Sequence, residues 1–364
     1  MIKTLSGIPD SRPNQAVLRL LTLATVLAAV TIVFGAYVRL TDAGLGCPDW
    51  PGCYGRLLVP ESAAELPAND PNLAARPLET GKAWREMIHR YLASTLGLVI
   101  LAAVIVHLVE SRRGTPLRPS FLLLAPLVCF QGALGMWTVT LLLKPLVVAA
   151  HLMGGMSILG LLWWNLLRER ALGQPTSPRP TRHLVRFALV VLVMQIALGG
   201  WTSTNYAALA CADFPTCHGT FAPPMDFANG FRLWHGLGIN YEYGILDAPA
   251  RIAIHYTHRV WALITALVLV ITAVSLWRAG SAAERRNGTL LAVALGAQLS
   301  LGVLNIIWQL PLPVAVAHNA GAAALLAVTV LSLATASGYA TSRAPSTFSR
   351  EGSGPAVIGS VRLS

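Results

Sequence analysis

The stretch Gly44-Leu45-Gly46-Cys47-Pro48-Asp49-Trp50-Pro51-Gly52-Cys53-Tyr54-Gly55 returns 164 residues later as Ala208-Leu209-Ala210-Cys211-Ala212-Asp213-Phe214-Pro215-Thr216-Cys217-His218-Gly219. The frame Cys-x-Asp-aromatic-Pro-x-Cys-x-Gly is intact in both. Downstream, Ile88-His89-Arg90 is answered by Thr257-His258-Arg259. Gln131…Leu134-Gly135…His151 is answered by Gln298…Leu301-Gly302…His318, with 20 residues from Gln to His each time. So many ordered matches mark a tandem duplication, and a repeat fixes the architecture before any local motif is weighed.

The sequence around these matches is apolar. Of 364 residues, 54% are hydrophobic and 12% charged, against about 25% charged in soluble domains. The apolar residues fall in blocks long enough to cross a bilayer, which takes roughly 20 residues. Spans are predicted near 16–38, 87–109, 120–142, 146–167, 184–205, 251–277, 288–309 and 314–336. The fold class is therefore an all-α integral membrane protein, eight transmembrane helices arranged as two tandem four-helix bundles. The units run over 16–172 and 184–336. A cytoplasmic N-terminal segment (1–15), a cytoplasmic linker (173–183) and a disordered cytoplasmic tail (337–364) complete the expected organisation. The first span follows a basic start (Lys3, Arg12, Arg19) without a small-residue cleavage site, so a retained anchor is expected, not a removed signal.

A net charge of +11 could be the footprint of a nucleic-acid binder. Its placement excludes that reading. Arg112, Arg113 and Arg118 share one short inner loop, and Arg168, Arg170, Arg179, Arg182 and Arg186 the next. Arg278, Arg285 and Arg286 fill the third, and Arg343, Arg350 and Arg362 the tail. This is the positive-inside pattern, with both termini cytoplasmic and the Cys loops on the outer side. That side is oxidising, so Cys47-Cys53 and Cys211-Cys217 are expected to be disulfides. Cys129, inside the third span, is expected to be a small apolar packing residue.

His89, His151, His258 and His318 each lie near the outer end of an even-numbered span, two per unit. An ionisable group at membrane depth is a functional hypothesis by default. The bland alternative, an interfacial histidine bonded to a loop carbonyl, suits one histidine better than four in a repeated pattern. Apart from Glu86, three residues before His89, no carboxylate or thiolate lies close in sequence to complete a tetrahedral zinc set, whereas two opposed imidazoles suit a haem with both axial positions filled. Small residues follow the second histidine of each pair: Gly154 and Gly155, then Ala320, Gly321 and Ala322. They give a flat macrocycle room, or serve ordinary helix packing. Arg90 and Arg259 are placed for propionates, or for snorkelling to the interface. His107, His183, His218 and His235 are not expected to be ligands.

The copies differ three residues before the first histidine, where unit one has Glu86 and unit two His255. That spacing puts each on nearly the same helix face as its histidine. Glu86 is either a carboxylate favoured by the helix dipole or an acid/base group serving one unit only.

Gly35-Ala36-Tyr37-Val38-Arg39, the two Cys loops, Glu86-x-x-His89-Arg90, His151, His258-Arg259 and His318 together resemble the haem A synthase family, in its bacterial type with outer-loop cysteine pairs. The resemblance runs from about residue 16 to 336. It implies an oxidoreductase that converts the C8 methyl of haem O to a formyl group, giving haem A for terminal oxidases. It also implies a bacterial inner-membrane location with the cysteine loops periplasmic. His89 and His151 would then be axial ligands of the substrate haem, and His258 and His318 those of a haem b cofactor, with Glu86 catalytic. Implied partners are haem O, membrane lipid, haem O synthase, terminal oxidase assembly factors, an unidentified electron acceptor and a second copy of the chain; nucleic acid is not among them.

Other classes fit less of the sequence. A quinone-coupled thiol oxidase would use the Cys pairs but leaves four histidines without a role. A bis-histidine b-type electron-transfer cytochrome would use the histidines without bond-forming chemistry. A transporter built on duplicated bundles would show a broken helix at mid-membrane, and none stands out. The Cys pairs themselves are read as staples closing short loops in preference to redox-active groups.

Overall fold

The structure, a computed structural model, describes residues 15–66, 76–170 and 179–338. The expected N-terminal segment falls outside this range except for its last residue, as do most of the linker and nearly all of the tail.

Eight long helices carry the described chain: α1 (Gln15–Leu40), α2 (Thr80–Arg112), α3 (Pro119–Thr140), α4 (Pro145–Arg170), α5 (Arg179–Thr204), α6 (Ala248–Ala279), α7 (Ala282–Ile307) and α8 (Leu312–Ala336). All eight are long and apolar enough to cross a membrane. The protein is an all-α, multi-pass membrane protein. A helix closes its backbone hydrogen bonds internally, which a lipid interior demands. Hydroxyls within the spans follow the same rule: Thr22, Thr25 and Thr31 of α1 each donate to the carbonyl four residues back.

Helices α1, α4, α5 and α8 form the centre, with α4 and α8 each meeting helices of the other unit. One apolar core of α-helical residues, including Leu21, Ile100, Leu162, Leu192, Leu269 and Leu326, runs through both units. Side-chain hydrogen bonds cross the junction, one of them between equivalent positions. Arg39 Nη2 donates to the carbonyl of Ser203, its own repeat counterpart, at 2.8 Å, and Trp163 Nε1 donates to the Ala327 carbonyl at 3.0 Å. The backbone repeats as the sequence does. Non-glycine residues with positive φ are uncommon, yet they recur as Asp42 and Tyr206, Tyr54 and His218, and Leu142-Leu143 and Gln309-Leu310.

Two differences from the sequence expectation bear on the site. Helices α2 and α6 start well before the predicted 87 and 251, at Thr80 and Ala248. Hydropathy marks only the apolar part of a helix. The polar first turns continue outward because they have partners there: Ala83 and Met87 pack on the Cys47–Cys53 loop, and Asp247 caps α6 by accepting from Ala250 N at 3.2 Å. His89 and His258 therefore sit deeper along their helices than His151 and His318 do along theirs. Cys129 is exposed on the outward surface of α3 and is no core packing residue; helix rotation, invisible in a uniformly apolar segment, decides this.

The outer loops are unequal. Residues 231–247 of unit two reach across to the α3–α4 turn of unit one. There Tyr241 N donates to the Leu142 carbonyl at 3.0 Å. Lys144, only 2% exposed, donates to the Gly236 carbonyl at 2.7 Å and lies over the Trp234 ring. Arg76 and Glu242 pair across the same boundary.

Candidate functional site

Each unit brings its two histidines together. His89 on α2 and His151 on α4 lie within electrostatic reach of one another, as do His258 on α6 and His318 on α8. Every ring rests against a glycine of a neighbouring helix. A Cβ added at Gly35 would stand 2.8 Å from His89 Cε1, at Gly135 3.3 Å from His151 Cε1, at Gly199 3.1 Å from His258 Cε1 and at Gly302 3.2 Å from His318 Cε1. The four glycines are two repeat pairs, Gly35 with Gly199 and Gly135 with Gly302. They are the residues that sequence reasoning left without a role at the histidines, although two were visible in the repeat frame. Gly35→Ala and Gly199→Ala are expected to push the imidazoles off their present positions. Absorption spectra of the haem-loaded variants check this, and the Gly35 change, at the closer distance, should disturb its unit more.

Of the two readings of the small residues after the second histidines, room for a ligand or helix packing, Gly154 and Gly321 follow the packing one. The site of a Cβ on Gly154 is filled by Gln131 Oε1, and that on Gly321 by Gln298 Oε1. Gln131 Nε2 goes on to donate to the His151 carbonyl at 2.7 Å. The glycines thus admit a glutamine from the neighbouring helix.

Glu86 and His255 do the same structural job with different chemistry. Glu86 Oε2 accepts from Cys47 N at 2.9 Å, and Oε1 pairs with Arg90. His255 Nδ1 faces Cys211 N at 3.2 Å, and its Nε2 faces Arg259 Nε at 3.3 Å. A carboxylate has two acceptor oxygens and serves both donors; a neutral imidazole has one acceptor nitrogen and serves one. Unit one therefore holds a buried ion pair, with side-chain exposures of 12% for Arg90 and 6% for Glu86, where unit two holds none.

Arg90 and Arg259 clamp the Cys loops to the helices below. Arg90 Nη1 donates to the carbonyls of Asp49 and Gly52 at 2.9 and 2.5 Å. Arg259 Nη1 donates to those of Asp213 and Thr216 at 2.9 and 2.8 Å, and Nη2 to that of Cys211 at 2.6 Å. Both disulfides are formed, Cys47–Cys53 and Cys211–Cys217.

Each loop is also tied by its aspartate. Asp49 accepts from Tyr54 N at 2.6 Å and Gly55 N at 2.8 Å; Asp213 accepts from His218 N at 2.6 Å and Gly219 N at 2.9 Å. Hydrogen bonds from Thr216 and from these amides hold the Asp213 carboxyl well below its ordinary value of 3.8. A depressed folded value stabilises above the unfolded pKa and is lost as pH falls through the folded one. The Cys211–Cys217 loop should therefore stay closed through the usual carboxylate range and loosen only in stronger acid. The rate at which an acid-tolerant phosphine reduces this disulfide, followed as pH is lowered, measures it.

Of the other histidines, His107 is buried, accepts from Arg118 N at 3.3 Å and stacks on Phe121. His218 contacts the Ala210 carbonyl. Neither joins a pair. Among the described residues no group of three or more His, Cys, Asp or Glu could hold a bare metal ion.

The fit of these pockets to haem rests on their donors. Two imidazoles approach from the diagonal helices of each unit, α2 and α4 or α6 and α8, which do not contact one another, each ring against a glycine, with no carboxylate or thiolate completing a metal set. His89, His151 and His318 also keep a buried Nδ1 without a partner. The residues fit a macrocyclic iron with two histidine ligands and do not fit zinc.

Fold and site together define a multi-pass membrane protein with eight spans among the described residues and one histidine pair in each of two like units. Residues 18–330 match the cytochrome oxidase assembly protein family, and the chain belongs to that family. It is similar to a haem A synthase of Shewanella oneidensis, 45% identical over 310 residues, covering 84% of this chain and 92% of the relative. It is also similar to haem A synthases of Rhizorhabdus wittichii (30% identical; 88% and 93% covered) and Paracoccus denitrificans (29%; 82% and 82%).

Proposed function

We propose that the protein is a haem A synthase of the bacterial inner membrane, oxidising the C8 methyl of haem O to a formyl group, with the Cys loops on the periplasmic face. The observation that carries this is the pairing of His89 with His151 and of His258 with His318 in two like pockets that differ at Glu86 and His255. Family membership and the 45% identity to a haem A synthase support the same activity.

In this proposal His89 and His151 hold the substrate haem, and His258 and His318 hold a resident haem b. A resident haem, when bound, supplies one-electron transfer. With water supplying the formyl oxygen, the change from methyl to formyl releases four protons and four electrons, and an electron acceptor outside the chain takes the electrons. Arg90 and Arg259, which hold the loop carbonyls, would also contact the propionates, so that one cation would tie ligand edge and loop together. Glu86, beside His89 on its helix, holds or moves a proton at its carboxylate oxygens while the change occurs. Its ion pair with Arg90 keeps that carboxylate placed, and the Cys47–Cys53 loop covers it from the outer side. The disulfides act as staples of those covers.

The test is pigment extraction from cells that make haem O and carry this chain. Haem A, together with hydroxylated haem O, is the expected product. A chain that binds haem in a reduced-minus-oxidised spectrum but yields neither pigment would be an electron-transfer cytochrome instead.

A further inference from the structure

We infer that Gln195 fixes the ring of His258 and sets the redox potential of the haem held in unit two, a device with no counterpart in unit one. This rests on the haem ligation proposed above. Gln195 lies on α5 one turn before Gly199, the glycine against which His258 rests. Its amide nitrogen stands 3.2 Å from His258 Nδ1 and 3.3 Å from the His258 carbonyl. The amide oxygen is buried without a partner. A half-turn of the amide exchanges its two ends, so Gln195 offers a donor to a bare Nδ1 and an acceptor to a protonated one. An imidazole bound to iron through Nε2 carries its proton on Nδ1, and the outer hydrogen bond then fixes ring orientation and basicity. The buried oxygen of Gln195 would find its partner there.

A second cross-link holds the same pair of helices. Trp261, one turn beyond His258, donates from Nε1 to the Val191 carbonyl of α5 at 3.2 Å.

Unit one lacks both devices. The counterpart of Gln195 is Thr31, whose hydroxyl is committed to the Leu27 carbonyl of its own helix at 2.7 Å. The counterpart of Trp261 is Leu92, which has no donor. His89 Nδ1 is left buried and without a partner. A ring locked from outside suits a haem that stays and cycles between two oxidation states. A ring without that lock suits a haem that arrives, reacts and leaves.

An acceptor on Nδ1–H makes the imidazole a stronger electron donor and favours ferric iron, so it lowers the potential. The test is a redox titration of the full-length protein with its bound haem, followed in the visible spectrum. Gln195→Met, similar in length but without the amide, should shift the ferric–ferrous equilibrium about tenfold towards ferrous, which is about 59 mV for one electron. Gln195→Glu, a stronger acceptor, should shift it the other way. Potentials equal to wild type in both variants, with haem still dependent on His258, would overturn the inference alone. Full haem retention by His258→Ala would overturn the ligation itself and the inference with it. Should Gln195→Met lose its haem, the sign of the Gln195→Glu shift decides: downward supports the role, and no shift or an upward one refutes it.

Discussion

Replacing Glu86 is expected to stop haem A formation while leaving the haem proposed for unit two in place. General acid–base groups contribute about 10²–10⁴-fold to rate, so product from Glu86→Gln should fall by at least about 100-fold. Alanine is the harsher change. It leaves the Arg90 guanidinium buried without its counter-ion, a cost of about 3–5 kcal/mol, and removes the acceptor of Cys47 N. Failure of Glu86→Ala could thus come from a loosened Cys loop. Glu86→His separates the two effects, because His255 already fills the equivalent place in unit two and faces Cys211 N. With histidine at 86, the loop keeps an anchor and the site loses its carboxylate. Because an imidazole can itself carry a proton, wild-type yields of haem A from both Glu86→Gln and Glu86→His would show that Glu86 only anchors the loop. Loss of product with the Cys47–Cys53 disulfide still resistant to reduction would place proton chemistry on the carboxylate.

Alanine at the second pair should give the opposite pattern to alanine at the first. His258→Ala and His318→Ala are expected to lose resident haem from the purified protein. Even changes one shell out from a metal ligand cost about 10–100-fold in affinity, so loss of a ligand should cost at least that. His89→Ala and His151→Ala should retain that haem and lose product. The measurement is haem content per chain beside extracted pigment, for all four variants. Equal haem loss from both pairs would mean that the pockets do not divide the work as proposed. The pockets are alike in their glycine supports. Gross misfolding by one ring and not its counterpart is therefore not the expected source of a difference.

Much of this was legible in the sequence because of the repeat. Eight spans, two units, two Cys pairs and four histidines all follow from long apolar blocks and one recurring frame. Helix limits were less legible. The outer turns of α2 are polar and are helical because the Cys loop packs on them, as at Ala83, and α6 starts three residues before the predicted 251 behind its Asp247 cap. The packing around the histidines was open for a related reason. Gly154 and Gly321 could give a ligand room or serve helix packing, and at both a glutamine from another helix, Gln131 or Gln298, packs against the glycine. The glycines that do stand against the rings, Gly35 and Gly199, lie more than 50 residues from them in sequence.

By itself, then, the sequence determined the membrane class, the duplication and the inventory of chemical groups, because periodicity, apolar length and repeated residue types are local properties. Tertiary structure decided who meets whom. It set Glu86 and His255 as anchors of the Cys loops, turned Arg90 and Arg259 onto loop carbonyls, and placed Gln195 beside His258 while leaving His89 without a like partner. Those contacts depend on the rotation and register of packed helices. In uniformly apolar segments such as these, neither is written in the order of residues.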